Sequence, residues 1–177
     1  MTGEELRAKQ APFKTKYKDN PASALQTLTA QGSLGAGDVT CTVRSFLGPV
    51  PAGLHPSTGG DGSAACSADM LLQALVGCAG VTLQAVATAL GIAMRGGSVR
   101  AEGDLDFRGT LGVSKDAPVG FTAIRLSFEL DSDATPEQVE TLMKLTRRYC
   151  VVYQTLVKSP VITETCDLNA ARGLAKP

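Results

Sequence analysis

Residues 70–94 read MLLQALVGCAGVTLQAVATALGIAM. The stretch holds no charged side chain, yet two glutamines, two threonines and Cys78 interrupt it. Ser67 is placed to cap a helix, Asp69 puts negative charge in its first turn, and Gly91 supplies a stop, so a helix is expected from Ser67 to about Leu90. About 20 apolar residues suffice to cross a bilayer, and this segment is long enough. Three features oppose that reading. Gln73 and Gln84 would sit at membrane depth, alanine and glycine outnumber leucine and phenylalanine, and no basic cluster or aromatic belt flanks the segment. A helix that is apolar all round can instead be buried by protein all round. One small domain struggles to cover such a helix, so a homodimer wrapping it between two chains is expected, with no membrane partner.

The rest of the chain fits a soluble domain. It has 177 residues, 44% hydrophobic and 19% charged, with 17 basic and 17 acidic side chains. A net charge of zero and the absence of Trp argue against a nucleic-acid partner. No apolar leader precedes the first ordered segment, so a cytoplasmic location with reduced thiols is expected. Residues 1–24 read as a solvated arm whose short helix breaks at Pro12, and 25–177 as a single domain.

Strands are expected over 25–34 and 39–44, where Cys41 falls on an apolar face. Residues 48–66 read as loop, with a short strand near Leu54. GGDG at 59–62 lacks the spacing of a phosphate-binding loop. SVRAEGDLDFRG (98–109) and the alternation from Thr122 to Leu130 read as two antiparallel strands. Thr135, Pro136 and Gln138 open a helix with a capping box, and Val139, Leu142, Met143 and Thr146 are its buried stripe. A second helical stretch runs to Pro160, VITETCDL (161–168) reads as a last strand, and the tail after Asn169 as loose. The sum is an α+β fold of antiparallel sheets with a long buried central helix.

Five cysteines stand at 41, 66, 78, 150 and 166, none in a CxxC pair. Small residues surround Cys78, which reads either as inert filler or as a thiol that another segment can approach. Cys150 follows Arg147 and Arg148 near a helix start, where cations and amides can stabilise a thiolate, unless both arginines point to solvent. His55, the only histidine, reads as a loop residue or a source of positive charge. The spacing of His55, Cys66 and Cys78 matches no standard zinc pattern, so no metal is expected.

SADMLLQALVGCAGVTLQAVA (67–87) and RRYCVVYQTLVKSPVITE (147–164) resemble the two cysteine motifs of the OsmC/Ohr family, in the same order, within a likeness spanning roughly 25–170. The resemblance implies an intertwined homodimer and a thiol peroxidase for organic hydroperoxides. Cys78 would be peroxidatic and Cys150 resolving, with a dithiol reductant closing the cycle and no cofactor. Family members commonly carry a Glu ten residues before the first cysteine, paired with an Arg, and a Pro after the second. Here those positions read Ala68 and Val151, with Asp69 one residue along and Arg44 the nearest arginine before Cys78. Asp69, His55, Arg44, Arg147 and Arg148 are therefore the candidate supporting groups. The alternative function is a non-catalytic OsmC-like protein that binds a small molecule or senses redox state.

Overall fold

The computed structural model describes residues 1–45 and 47–168. In chain order the elements are helix α1 (Gly3–Asp19), strands β1 (Gly32–Leu34), β2 (Cys41–Ser45), β3 (Gly48–Gly53) and β4 (Ala65–Cys66), and helix α2 (Ser67–Leu90). Strand β5 (Met94–Asp104), the short α3 (Phe107–Thr110), strand β6 (Ala123–Ser132) and helices α4 (Pro136–Tyr149) and α5 (Val151–Val157) follow. One sheet has the order β1-β2-β3-β4, antiparallel except for the short parallel β3–β4 pair. The other is the antiparallel β5–β6 pair.

The core lies where α2 and α4 meet the β5–β6 sheet. Leu83, Val86, Ala87, Ile92 and Leu142 are its buried centre, with Phe128, Leu130 and Met143 packed against it. Along β6, Ile124, Leu126, Phe128 and Leu130 turn inward, and the alternate residues are exposed. On the wet face Arg125 bonds Asp104 at 2.8 Å, and Arg100 meets Glu102 at 2.8 Å. The expected caps of α4 are present: Thr135 Oγ1 accepts from the Gln138 amide, and the Gln138 side chain accepts from the Thr135 amide.

Helix α2 matches its expected bounds, but Ser67 is its first residue rather than its cap: Cys66 is the N-cap, without a side-chain capping bond, and Gly91, at φ 70°, ends the helix in the left-handed region open to glycine. By length and composition alone it could cross a membrane, but Leu75, Ala79, Leu83, Val86 and Ala87 bury one face of it against the protein. The opposite face is only partly covered, and Val81 is 72% exposed. Burial on all sides is thus not achieved by one chain.

Several expectations are corrected. Helix α1 runs unbroken through Pro12, because a Thr2–Glu5 capping box and basic residues in the last turn hold both ends. Within 25–34 only Gly32–Leu34 finds a strand partner. Residues 48–66 are more regular than a loop, since Gly48 to Ala52 of β3 pair with β2 and Ala52 and Gly53 pair with β4. Strand β5 starts earlier than expected and stops at Asp104. The Asp106 carboxylate accepts from the Arg108 amide at 3.0 Å and pairs with its guanidinium, which turns the chain into α3. Those bonds to Arg108 pull the Asp106 carboxyl down to about 2. Residues 161–168 form no strand, and Val161 and Ile162 are exposed. Cys41 is only partly buried. The tail after Asn169 lies outside the described residues.

Candidate active site: a thiol pair at the start of α5

The chain from α4 into α5 is held tightly at Cys150. The Cys150 amide donates to the Thr146 carbonyl, and its own carbonyl accepts from the Gln154 amide, each at 2.9 Å. The Gln154 side chain also donates to the Arg147 carbonyl at 2.7 Å. Thr146, itself buried, donates its hydroxyl to the Leu142 carbonyl at 2.8 Å. Cys150 is therefore both the C-cap of α4 and the N-cap of α5, and it is 1% exposed.

A helix start leaves its first amides without intrahelical partners. Helix α5 has no side-chain oxygen to cap them. Sulfur takes that place. The Val152 and Val151 amides bond to the Cys78 sulfur, which also meets the Cys150 thiol and the Thr82 hydroxyl. Burial works against a Cys78 thiolate, and these hydrogen bonds outweigh it, so the Cys78 thiol titrates below its ordinary value. Cys150 moves the opposite way. Burial raises it most, and the neighbouring Cys78 raises it further despite amide donors from Tyr153 and Val152. The two thiols are free, close and unequal: Cys78 ionises more readily than an ordinary thiol and Cys150 less readily.

Of the two readings left open for Cys150, an acidic thiol is not the one found: burial raises it despite the Tyr153 and Val152 amides, while the Val151 and Val152 amides favour the Cys78 thiolate. Val151 stands where the family pattern has proline. Proline has no N–H to donate, so this departure adds one of the donors that reach Cys78.

The candidate supporting residues lie elsewhere in the chain. Asp69 is nine residues before Cys78, about 13.5 Å along the helix and on its opposite side. Arg44 is exposed on β2, across from Pro49. Arg147 and Arg148 are exposed, and Arg148 sits over the Tyr149 ring at 5.6 Å. None of these groups is among those that shift either thiol. His55 is fixed at the other end of α2. Its Nδ1 accepts from the Ser57 amide at 3.0 Å, and its ring stacks on Phe107 with centroids 4.8 Å apart. It lines a cavity of about 430 Å³ with Cys66, Leu71 and Phe121. Cys78 is twelve residues beyond Cys66 on the helix side, roughly 18 Å away along the axis, which separates it from His55 and Cys66 as a ligand set. Among the described residues no group of three or more His, Cys, Asp or Glu side chains gathers to hold a metal ion. The residues that sequence reasoning missed are Thr82 and the amides of Val151 and Val152. The last two act through backbone, which leaves no residue-type signal.

Residues 60–165, more than half of the chain, match the sequence model of OsmC-like proteins. The chain belongs to the OsmC-like family. Its fold is that of solved OsmC-like structures. With the protein from Mycoplasma pneumoniae the TM-score is 0.63 at 17% identity, covering 76% of this chain and 89% of the other. With the one from Vibrio cholerae it is 0.61 at 14% identity, covering 79% and 99%. An organic hydroperoxide resistance protein from Legionella pneumophila gives 0.58 at 16% identity, covering 76% and 91%. No curated protein sequence matches the chain.

Proposed function

We propose that this protein is a thiol peroxidase that reduces organic hydroperoxides with Cys78 and Cys150. The observation that carries the reading is the pair itself, a Cys78 thiol lowered by hydrogen bonds beside a buried Cys150 thiol that burial raises. The Cys78 thiolate attacks the terminal oxygen of the hydroperoxide. An S–O bond forms, the O–O bond breaks, an alcohol leaves and Cys78 becomes a sulfenic acid. The Cys150 sulfur then displaces water to form a disulfide, and a dithiol reductant returns both thiols by exchange. A reducing cytoplasm suits that last step. The test is to oxidise the reduced protein with cumene hydroperoxide and map its thiols by mass spectrometry. A Cys78–Cys150 disulfide is expected, and finding neither that disulfide nor a Cys78 sulfenate would refute the peroxidase reading.

A homodimer completes the proposal. Leu28 and Ile162 belong to segments that read as strands, and they are 92% and 87% exposed in one protomer. They are apolar surface that a partner could cover. Asp69, His55 and Arg44 can serve a Cys78 site only from the partner protomer, given their separation within one chain. A monomeric mass by sedimentation equilibrium would remove both statements.

The second reading, a non-catalytic binding or sensing protein, is favoured by the Ala68 and Val151 departures. The pH dependence of Cys78 alkylation separates the two. Its midpoint is expected below that of an ordinary thiol, about 8.5. In Val151→Pro, which suits the first turn of α5 but lacks the N–H, the midpoint should rise. A wild-type midpoint at the ordinary value would favour the binding protein.

A further inference from the structure

Helix α1 lies outside the segment that matches the family, yet it builds one wall of a cavity of about 490 Å³ beside the thiol pair. Leu6, Gln10 and Lys14 line it from α1 at intervals of four, the spacing of a single helix face. Val81, Thr82 and Tyr149 face them. Thr82 is also the residue whose hydroxyl reaches the Cys78 sulfur, so the cavity and the thiol share a wall.

The placement of Gly3 gives the direction of α1. A Cβ added there would sit 2.7 Å from the Thr88 carbonyl oxygen, so the start of α1 touches the end of α2. Lys14, further along α1, lines the cavity with Val81 and Thr82, so the two helices run in opposite senses. From Gly3 to Lys14 is about 16 Å of helix, and the same distance back along α2 from Thr88 reaches the level of Gly77 and Cys78. Lys14 makes no ion pair among the described residues. An unpaired ammonium thus stands at the thiol end of an apolar groove.

We propose that Lys14 is a catalytic residue, the proton donor to the departing alkoxide, with the hydrocarbon part of the hydroperoxide lying along the groove toward Leu90. The inference rests on the peroxidase reading. When the Cys78 thiolate takes the terminal oxygen of R–O–O–H, the bond electrons leave with RO⁻. Lys14 gives that oxygen a proton, releases ROH, and regains a proton from water. The sulfur loses two electrons and the peroxide gains them. General acid help of this kind is worth about 10²–10⁴-fold.

The experiment uses the full-length protein with Lys14→Gln and Lys14→Arg, both at an exposed position that folding tolerates. The first readout needs no peroxide: the ratio of Cys78 alkylation rates by anionic iodoacetate and neutral iodoacetamide. Lys14→Gln should lower that ratio about fivefold, as expected for losing one nearby unit charge, and Lys14→Arg should preserve it. The second readout is kcat/KM with cumene hydroperoxide, expected to fall about 10²-fold in Lys14→Gln and to be largely retained in Lys14→Arg. An unchanged ratio with normal turnover overturns the role of Lys14 and leaves the peroxidase reading standing. A lowered ratio with unchanged kcat/KM also overturns it. A wild-type protein that turns over no hydroperoxide removes the peroxidase reading, and the proton-donor role goes with it, whatever the ratio.

Discussion

Cys78→Ser is expected to bring hydroperoxide consumption down to the rate of buffer alone, while Cys150→Ser should still react once and then stall. A serine hydroxyl at position 78 is not ionised near neutral pH, and the amides of Val151 and Val152 cannot make it so. Without Cys150, the sulfenic acid formed at Cys78 has no neighbouring thiol to condense with. Excess peroxide should carry it on to sulfinic acid, read by mass spectrometry as two added oxygens at residue 78. Sustained cycling by Cys150→Ser at the wild-type rate would mean that another thiol resolves the intermediate. Cys166 is exposed and Cys66 partly buried, so the corresponding double variants would identify it.

The largest effect on stability is expected at Leu142. Its side chain is 0% exposed and packs among Leu83, Val86, Ala87 and Ile92. Leu142→Ala leaves a cavity at the junction of α2 and α4, with a cost of about 2–5 kcal/mol. For a chain of this size that lowers Tm by roughly 5–15 °C. A calorimetric scan of the reduced protein checks it, and a shift under about 2 °C would mean that the core collapses onto the gap. The Leu142 carbonyl also accepts the Thr146 hydroxyl next to the thiol pair. Cys78 alkylation should therefore also slow in this variant if the α4–α5 junction loosens.

The helices were the most legible part of the sequence, because their signals are local. Thr135, Pro136 and Gln138 carry the start of α4 in their own side chains, and Gly91 ends α2 by its backbone freedom. Pro12 misled because the caps at Thr2 and Glu5 outweigh one missing amide donor. Strands were less legible, since a strand exists only where a partner pairs with it. Residues 25–30 and 161–168 alternate well enough but form no strand among the described residues. The alternation through Phe107 was cut short by the Asp106–Arg108 turn, a contact between side chain and backbone that periodicity does not register.

At the site, the two cysteines were legible through their motifs. The groups that tune them were not. Arginines and acids were sought because charge is visible in a sequence, whereas the donors to Cys78 are chiefly backbone amides at a helix start that carries no polar cap. Asp69 sits next to the familiar acidic position, but the helix turns it to the far side of α2.

The uncapped start of α5 has a reciprocal consequence. Hydrogen bonds that favour the Cys78 thiolate must, by the same free energy, favour the helix that donates them. Helix α5 is only seven residues long, too short to persist on its own backbone bonds. Its first turn is thus fastened through the Cys78 sulfur, most firmly when that sulfur is ionised. When that sulfur is protonated or oxidised, the fastening weakens, and amide hydrogen exchange at Val151 and Val152 should speed up. Exchange at helix α5 would then report the protonation state of Cys78.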